Sequence, residues 1–279
     1  MEKLKYFKSE KISERITRIT GLTGELMYLV EGKNKAVLID TGTGIGNLKK
    51  YVEKLTQKPV IVLLTHGHVD HAMGASAFEE VYMNPADKNV YMEHSDISVR
   101  MEYLKMFLGE NFKKVKEEDY IPAASSYSFK PLLPGNSFEL GGITLEIYGG
   151  AGHTPGMITI LFVEERTLLL GDACNFFTFL FDKNSLDLIT YEKNLKELDN
   201  QTKGRYDKVY LSHGDGDASK DMIQSVIKVC EDIKSGKSDD IPFNFLGETA
   251  YIAKAVDVNM ARIDGGLGNI VYSKEKVHK

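Results

Sequence analysis

Residues 65–71 read Thr65-His66-Gly67-His68-Val69-Asp70-His71, and the rest of the chain is best understood from there. Three imidazoles and a carboxylate fall within six positions, although the whole chain has only seven histidines. Ahead of them runs Pro59-Val60-Ile61-Val62-Leu63-Leu64, an apolar, β-branched run that reads as a buried strand. Behind them Ala72-Met73-Gly74-Ala75-Ser76-Ala77-Phe78 is small and helix-compatible. The polar residues therefore sit on a loop between strand and helix, just past the carboxyl end of the strand, where α/β proteins place their sites. His66 and His68 are two apart, so in an extended loop they point the same way. Asp70 and His71 lie in the next turn and can face a neighbouring point. Neutral imidazole nitrogen and carboxylate oxygen are donors to zinc, iron or manganese. A polar surface loop that binds nothing is the alternative, and the crowding of three of seven histidines into one turn argues against it.

On the amino-terminal side, residues 9–20 alternate apolar and polar and read as a first strand. Residues 25–30 and 35–40 read as a hairpin across Glu31-Gly32-Lys33-Asn34, ending in the glycine-rich turn Asp40-Thr41-Gly42-Thr43-Gly44. Residues 46–54 read as a short helix and 81–84 as a short strand closed by Pro85. Residues 86–128 differ in character: charged, rich in Met, Tyr and Phe, and mostly helix-compatible, with 97–107 the clearest run. They read as a helical insertion. Strand pattern resumes at 136–140 and 143–148, leading into Gly149-Gly150-Ala151-Gly152-His153-Thr154-Pro155-Gly156. A hairpin over 157–163 and 167–170 ends in Gly171-Asp172. A helix at 186–201, a strand at 206–211 ending in Ser212-His213-Gly214 and a long amphipathic helix at 218–233 follow. Residues 237–279 form a carboxyl-terminal extension with a last strand at 269–272. The expected organisation is one elaborated domain over 1–279. Four strand ends thus carry potential ligands: the 65–71 loop, His153, Asp172 and His213. Each is flanked by glycine or another small residue, which lets backbone approach a metal closely.

The 279 residues, 42% of them hydrophobic, suffice for a large core. A net charge of −5 with scattered lysines argues against nucleic acid as a partner, because phosphate neutralisation needs a clustered basic face. Two cysteines, Cys174 and Cys230, give no disulfide framework and fit a reducing interior. With no apolar leader at the start and no run long enough to span a membrane, the expectation is a cytoplasmic protein without a membrane partner.

Taken together, Thr-His-Gly-His-Val-Asp-His-Ala-Met-Gly, Gly-Gly-Ala-Gly-His-Thr-Pro-Gly, Leu-Leu-Gly-Asp and Leu-Ser-His-Gly, in this order between Leu38 and His213, resemble the metallo-β-lactamase superfamily. The resemblance implies an α/β fold: an αββα sandwich of two mixed β-sheets with outer helices, here with the helical insertion. It implies two divalent transition-metal ions, zinc first, with iron or manganese as alternatives. His66, His68 and His153 would hold one ion; Asp70, His71 and His213 the other; Asp172 would bridge them. Asp70 would also orient the nucleophile or accept its proton, and Asp40 would bond a ligand histidine, with turn-capping as its alternative role. The implied activity is a metal-dependent hydrolase whose metal-bridging hydroxide attacks a small-molecule ester, thioester or lactone, as in the glyoxalase II and lactonase branch. A phosphodiesterase of the same fold and a non-hydrolytic metal- or ligand-binding sensor remain as alternatives. The expected partners are a small-molecule substrate and, as an open possibility, a second copy in a homodimer.

Outside the motifs, His94 reads as a surface or pocket-rim histidine and His278 as a tail residue without a role. Cys174 reads as structural and Cys230 as core. Phe176, Phe177, Phe179 and Phe181 follow Asp172 and read either as core packing or as an aromatic wall beside the site. Tyr127 and Tyr191 are candidate donors to an oxyanion. The 86–128 insertion reads as a lid or as a dimer contact.

Overall fold

Parallel pairing of two short buried strands puts the polar turns after them side by side. In the computed structural model, which describes residues 4–124, 129–245 and 247–277, Ile39 is registered against Leu63. The Asp40 N–H continues the ladder to the Leu63 carbonyl, 3.0 Å away. Asp40 and the histidine loop therefore leave the same sheet edge together.

That edge belongs to the first of two compact units into which the chain divides, residues 1–145 with 212–214. Its elements are β1 (Lys8–Lys11), β2 (Ile16–Thr20), β3 (Leu26–Glu31), β4 (Ala36–Ile39), α1 (Leu48–Val52), β5 (Val60–Leu63), α2 (Val69–Ala72), β6 (Val81–Met83), α3 (Lys88–His94), α4 (Ile97–Leu108), β7 (Lys130–Pro131) and β8 (Ser137–Glu139). Strands β1 to β7 form a sheet in chain order, antiparallel through β4 and parallel from β4 to β7. The expected single strand at 9–20 is two strands. Lys8 pairs with Thr20 across a turn in which the Ser13 hydroxyl accepts the Arg15 and Ile16 N–H groups. The β1 half is wholly exposed and its alternation buries nothing. The uninterrupted apolar runs of β3, β4 and β5 are buried, as strands covered on both faces should be.

Helix α2 begins earlier than its sequence suggests. His68 is its extended amino-terminal cap, so Asp70 and His71 lie in the helix rather than in the loop before it. A carboxylate in a first helical turn is electrostatically favoured there. Helices α3 and α4 fall inside the predicted insertion.

The second unit comprises residues 146–211 and 215–279, which the chain enters along β9 (Thr144–Gly149). There follow β10 (Ile158–Phe162), β11 (Thr167–Leu169), β12 (Thr178–Leu180), α5 (Leu188–Thr202), β13 (Lys208–Tyr210), β14 (Asp217–Ala218), α6 (Met222–Lys234), β15 (Ile241–Phe245), β16 (Glu248–Ile252) and β17 (Ile270–Tyr272). In its larger sheet β14, β13, β11, β10 and β9 are neighbours in that order. Strands β10 and β11 are a hairpin; β11 and β13 are parallel, which the crossover through α5 permits. Asp187 caps α5 by accepting the Thr190 N–H. Helix α6 buries Met222, Ile223, Val226, Ile227, Cys230 and Ile233, a stripe at three- and four-residue spacing, in a core shared with α5.

A smaller mixed sheet, β12-β17-β16-β15, has no counterpart in the sequence reading apart from β17. Strand β15 is largely exposed and interrupted by Pro242 and Asn244, so its pattern is faint. Phe179, Phe181, Phe243 and Phe245 make it cohere, with Phe179 and Phe245 ring centroids 5.3 Å apart. For Phe179 and Phe181 core packing is thus the observed role, whereas Phe176 is exposed. Among the described residues no helix is long and apolar enough to cross a membrane.

Candidate metal centre

In the first unit, Asp40 and residues 65–71 follow the strand ends of β4 and β5, and His213 lies in the 212–214 segment after Tyr210. Asp40 adopts a left-handed backbone, φ 62°, strained for a side chain other than glycine but tolerated by aspartate. Its buried carboxylate accepts the Thr65 N–H at 2.7 Å on Oδ1 and the Thr65 hydroxyl at 2.8 Å on Oδ2. The same Oδ2 accepts from His71 Nδ1 at 2.8 Å. Asp40 thus bonds the candidate ligand His71 and also accepts a backbone N–H of the next turn, so both kinds of contact weighed from sequence are present.

Those contacts set the ring tautomers. A carboxylate oxygen only accepts, so the His71 proton is on Nδ1 and Nε2 is the lone-pair nitrogen. The Thr65 hydroxyl has one proton and gives it to Asp40. Its 3.0 Å contact with His66 Nδ1 is therefore one in which the imidazole donates, and Nε2 of His66 is again the lone-pair atom. That Nε2 lies 3.1 Å from His68 Nδ1. Asp70 Oδ2 lies 3.6 Å from His71 Nε2 and 3.5 Å from His213 Nε2. Asp70, His71 and His213 each offer one ligand atom within 4.8 Å of the others. This is the chemistry a divalent transition metal needs: imidazoles whose second nitrogen is pinned by a carboxylate or hydroxyl, and an acceptor-only oxygen.

In the second unit the two remaining predicted ligands also sit at strand ends. His153 follows β9, and its Nδ1 donates to the Phe179 carbonyl at 2.8 Å, again leaving Nε2 as the lone-pair nitrogen. Asp172 follows β11, with Asn175 Nδ2 donating to Oδ1 at 3.1 Å. The glycine before His153 is required by space: a Cβ on Gly152 would lie 2.1 Å from the Tyr191 ring. Tyr191 is fully buried, burial pushes its phenol well up, and its hydroxyl donates to the Ala173 carbonyl at 2.8 Å. Its hydroxyl is thus committed to the backbone rather than offered to an oxyanion. Cys174 is buried, with its thiol pushed up by desolvation, and Cys230 is buried in α6, as structural cysteines should be. Tyr127 and His278 lie outside the described residues.

His94, read from sequence as a surface or pocket-rim histidine, is half-buried beside the loop: its ring stacks on His68 with centroids 4.5 Å apart, and its Nδ1 accepts the Val69 N–H at 3.2 Å. Three more insertion residues reach the same loop or its neighbours. Asp87, fully buried, accepts the Gly67 N–H at 2.9 Å. A Cβ on Gly67 would lie 2.7 Å from the Tyr91 nitrogen, so only glycine lets the histidine loop pack on α3 this closely. Arg100 donates to the Thr43 and Gly44 carbonyls, and the Tyr103 hydroxyl donates to Asp70 Oδ2 at 2.8 Å. All four lie outside the motifs, and no spacing in the sequence ties them to the loop.

Mixed sheets with histidines and aspartates at successive strand ends define a class, and the sequence matches the metallo-beta-lactamase superfamily over residues 20–213. The chain belongs to that superfamily and has its α/β fold. It is similar to the acyl-coenzyme A thioesterase MBLAC2 of Gallus gallus, at 24% identity over 189 residues, 59% of this chain and 61% of the relative. It is also similar to the hydroxyacylglutathione hydrolase GloC of Haemophilus influenzae, at 24% over 171 residues, 57% and 70%. Of other curated relatives that it matches, the chain spans only about half the length, 53% and 46%. Among solved structures, a metallo-beta-lactamase from Pontibacter korlensis covers 81% of this chain and 99% of its own, at 18% identity and a TM-score of 0.57. That likeness shows the fold alone.

Proposed function

We propose that this chain is a metal-dependent hydrolase of a small-molecule thioester, ester or lactone. The observation that carries the proposal is the donor group Asp70, His71 and His213, with His71 turned to it by Asp40. The family resemblance supports the wider assignment: His66, His68 and His153 for one divalent ion, Asp70, His71 and His213 for a second, and Asp172 between them. Zinc is the first candidate, with iron or manganese as alternatives. Such ions would supply Lewis acidity and lower the pKa of water enough to make a nucleophile near neutral pH.

The chain's own residues do the rest. Asp40 and Thr65 hold the imidazoles of His71 and His66 in one tautomer, so no ring need turn during a reaction cycle. Asp70, an acceptor beside two imidazoles, orients the attacking water and takes its proton. Thioesters stand first among substrates because two hydrolase relatives carry thioesterase and hydroxyacylglutathione hydrolase names. A small molecule is the partner this reading requires.

The test is a substrate panel of acyl-coenzyme A and glutathione thioesters, lactones, aryl esters and bis-aryl phosphates, run with zinc, manganese or iron and with a chelator. The expected result is chelator-sensitive cleavage of thioesters, esters or lactones. Preference for the bis-aryl phosphate would make the chain a phosphodiesterase. Tight metal binding with no turnover across the panel would make it a binding protein.

A further inference from the structure

Helix α4 carries one face toward the candidate centre. Arg100, Tyr103, Leu104 and Phe107 stand at the three- and four-residue spacing that aligns side chains along a helix. Arg100 and Leu104 are buried, Tyr103 is half-buried and Phe107 is exposed at the outer end of the row. The inner end is fixed firmly. Buried Arg100 donates to the Ile121 carbonyl at 2.8 Å and to those of Thr43 and Gly44 at 3.2 and 3.0 Å. Thr43 and Gly44 belong to the turn that starts at Asp40, so α4 is tied to the segment that orients His71. One turn along, Tyr103 donates to Asp70 Oδ2. That oxygen is also the one nearest His71 and His213. The Tyr103 ring is braced from outside by Phe107, with centroids 4.5 Å apart and planes 32° from each other.

From this geometry we infer that Tyr103 is a positioning residue of the site: its hydroxyl fixes the Asp70 carboxylate, and α4 is a built-in part of the ligand cage. The inference rests on the metallohydrolase reading and deepens it. A carboxylate on a short side chain rotates about its last bond. The phenol removes that freedom by claiming one lobe of Oδ2, while Arg100 and Phe107 keep the phenol where it is. Hydrogen bonds of this kind to a ligating group are worth about 10–100-fold in metal affinity or rate.

The test is Tyr103→Phe, which deletes the hydroxyl and keeps the ring that Phe107 braces, with Phe107→Leu as a second variant that loosens the brace and keeps the hydroxyl. Zinc affinity is read by competition with a chromophoric chelator, alongside the melting temperature of metal-free protein and, with the best substrate of the panel, kcat and KM separately. The inference expects Tyr103→Phe to bind its weaker ion about 10–100-fold less tightly and to lose kcat with KM little changed, while the metal-free melting temperature stays near wild type. Phe107→Leu should show a smaller loss of the same kind. Wild-type zinc affinity in Tyr103→Phe would overturn the inference and leave the hydrolase reading standing. A wild-type protein that binds no zinc would overturn both.

Discussion

Asp40 and His71, thirty-one residues apart, share a 2.8 Å hydrogen bond in which the imidazole Nδ1 donates to a carboxylate oxygen buried beneath it. The register of β4 against β5 creates this pair: it brings the residue after Ile39 beside the turn after Leu63. The pair turns the other nitrogen of His71 toward Asp70 and His213. Asp40→Ala should therefore weaken binding of one metal ion by about 10–100-fold and reduce hydrolysis correspondingly. Chelator competition on the purified variant measures the first effect directly. Unchanged affinity would show that the bond is structural only.

Gly152 is a second point where backbone geometry serves a candidate ligand. A methyl group there meets the Tyr191 ring, and Tyr191 cannot swing aside because its hydroxyl is bonded to Ala173 inside the core. Gly152→Ala should cost about 1–3 kcal/mol in stability, the usual penalty for overpacking. It should also displace His153, the next residue. Chemical denaturation gives the first number; a loss of activity larger than the loss of folded protein gives the second effect.

The candidate ligands that sequence makes legible are those in contiguous motifs at strand ends: residues 65–71, His153, Asp172 and His213. Each stands at the end of a short strand pattern and next to a glycine, so both position and type are visible. Residues that act from a distance are not. Asp87, His94, Arg100 and Tyr103 lie on charged, helix-compatible stretches where an ordinary solvated face and a functional one look alike. Nothing local in Tyr103 distinguishes it from Tyr91, yet one bonds Asp70 and the other accepts the Ala124 N–H. Strand β15 is faint for a different reason: exposed on most of its length and broken by a proline, it is held by pairing with β16 and by Phe243 and Phe245 packing with Phe179 and Phe181.

Away from the site, Asp232 on α6 gives a pH prediction with a definite sign. Lys254 lies 2.8 Å away and Lys228 3.0 Å away, and these ammonium groups hold the carboxyl below its ordinary value of 3.8. Since the folded-state pKa is depressed, the pair's contribution is complete above the ordinary aspartate range and lost as pH falls through the folded value. Asp232→Asn should cost about 1–3 kcal/mol at pH 7, as for a nearly buried charge-assisted hydrogen bond. The difference between variant and wild type should shrink as the pH is lowered past 4, which denaturant melts at pH 7, 5 and 3.5 would follow. A difference that stays constant with pH would assign the loss to packing.

The central claim is that this chain carries metal and uses it. Elemental analysis of the purified, extensively dialysed protein, repeated on His71→Ala, tests it most directly. The account predicts close to two transition-metal ions per wild-type chain and about one in the variant. A wild-type protein that retains none after incubation with zinc, manganese or iron would contradict it.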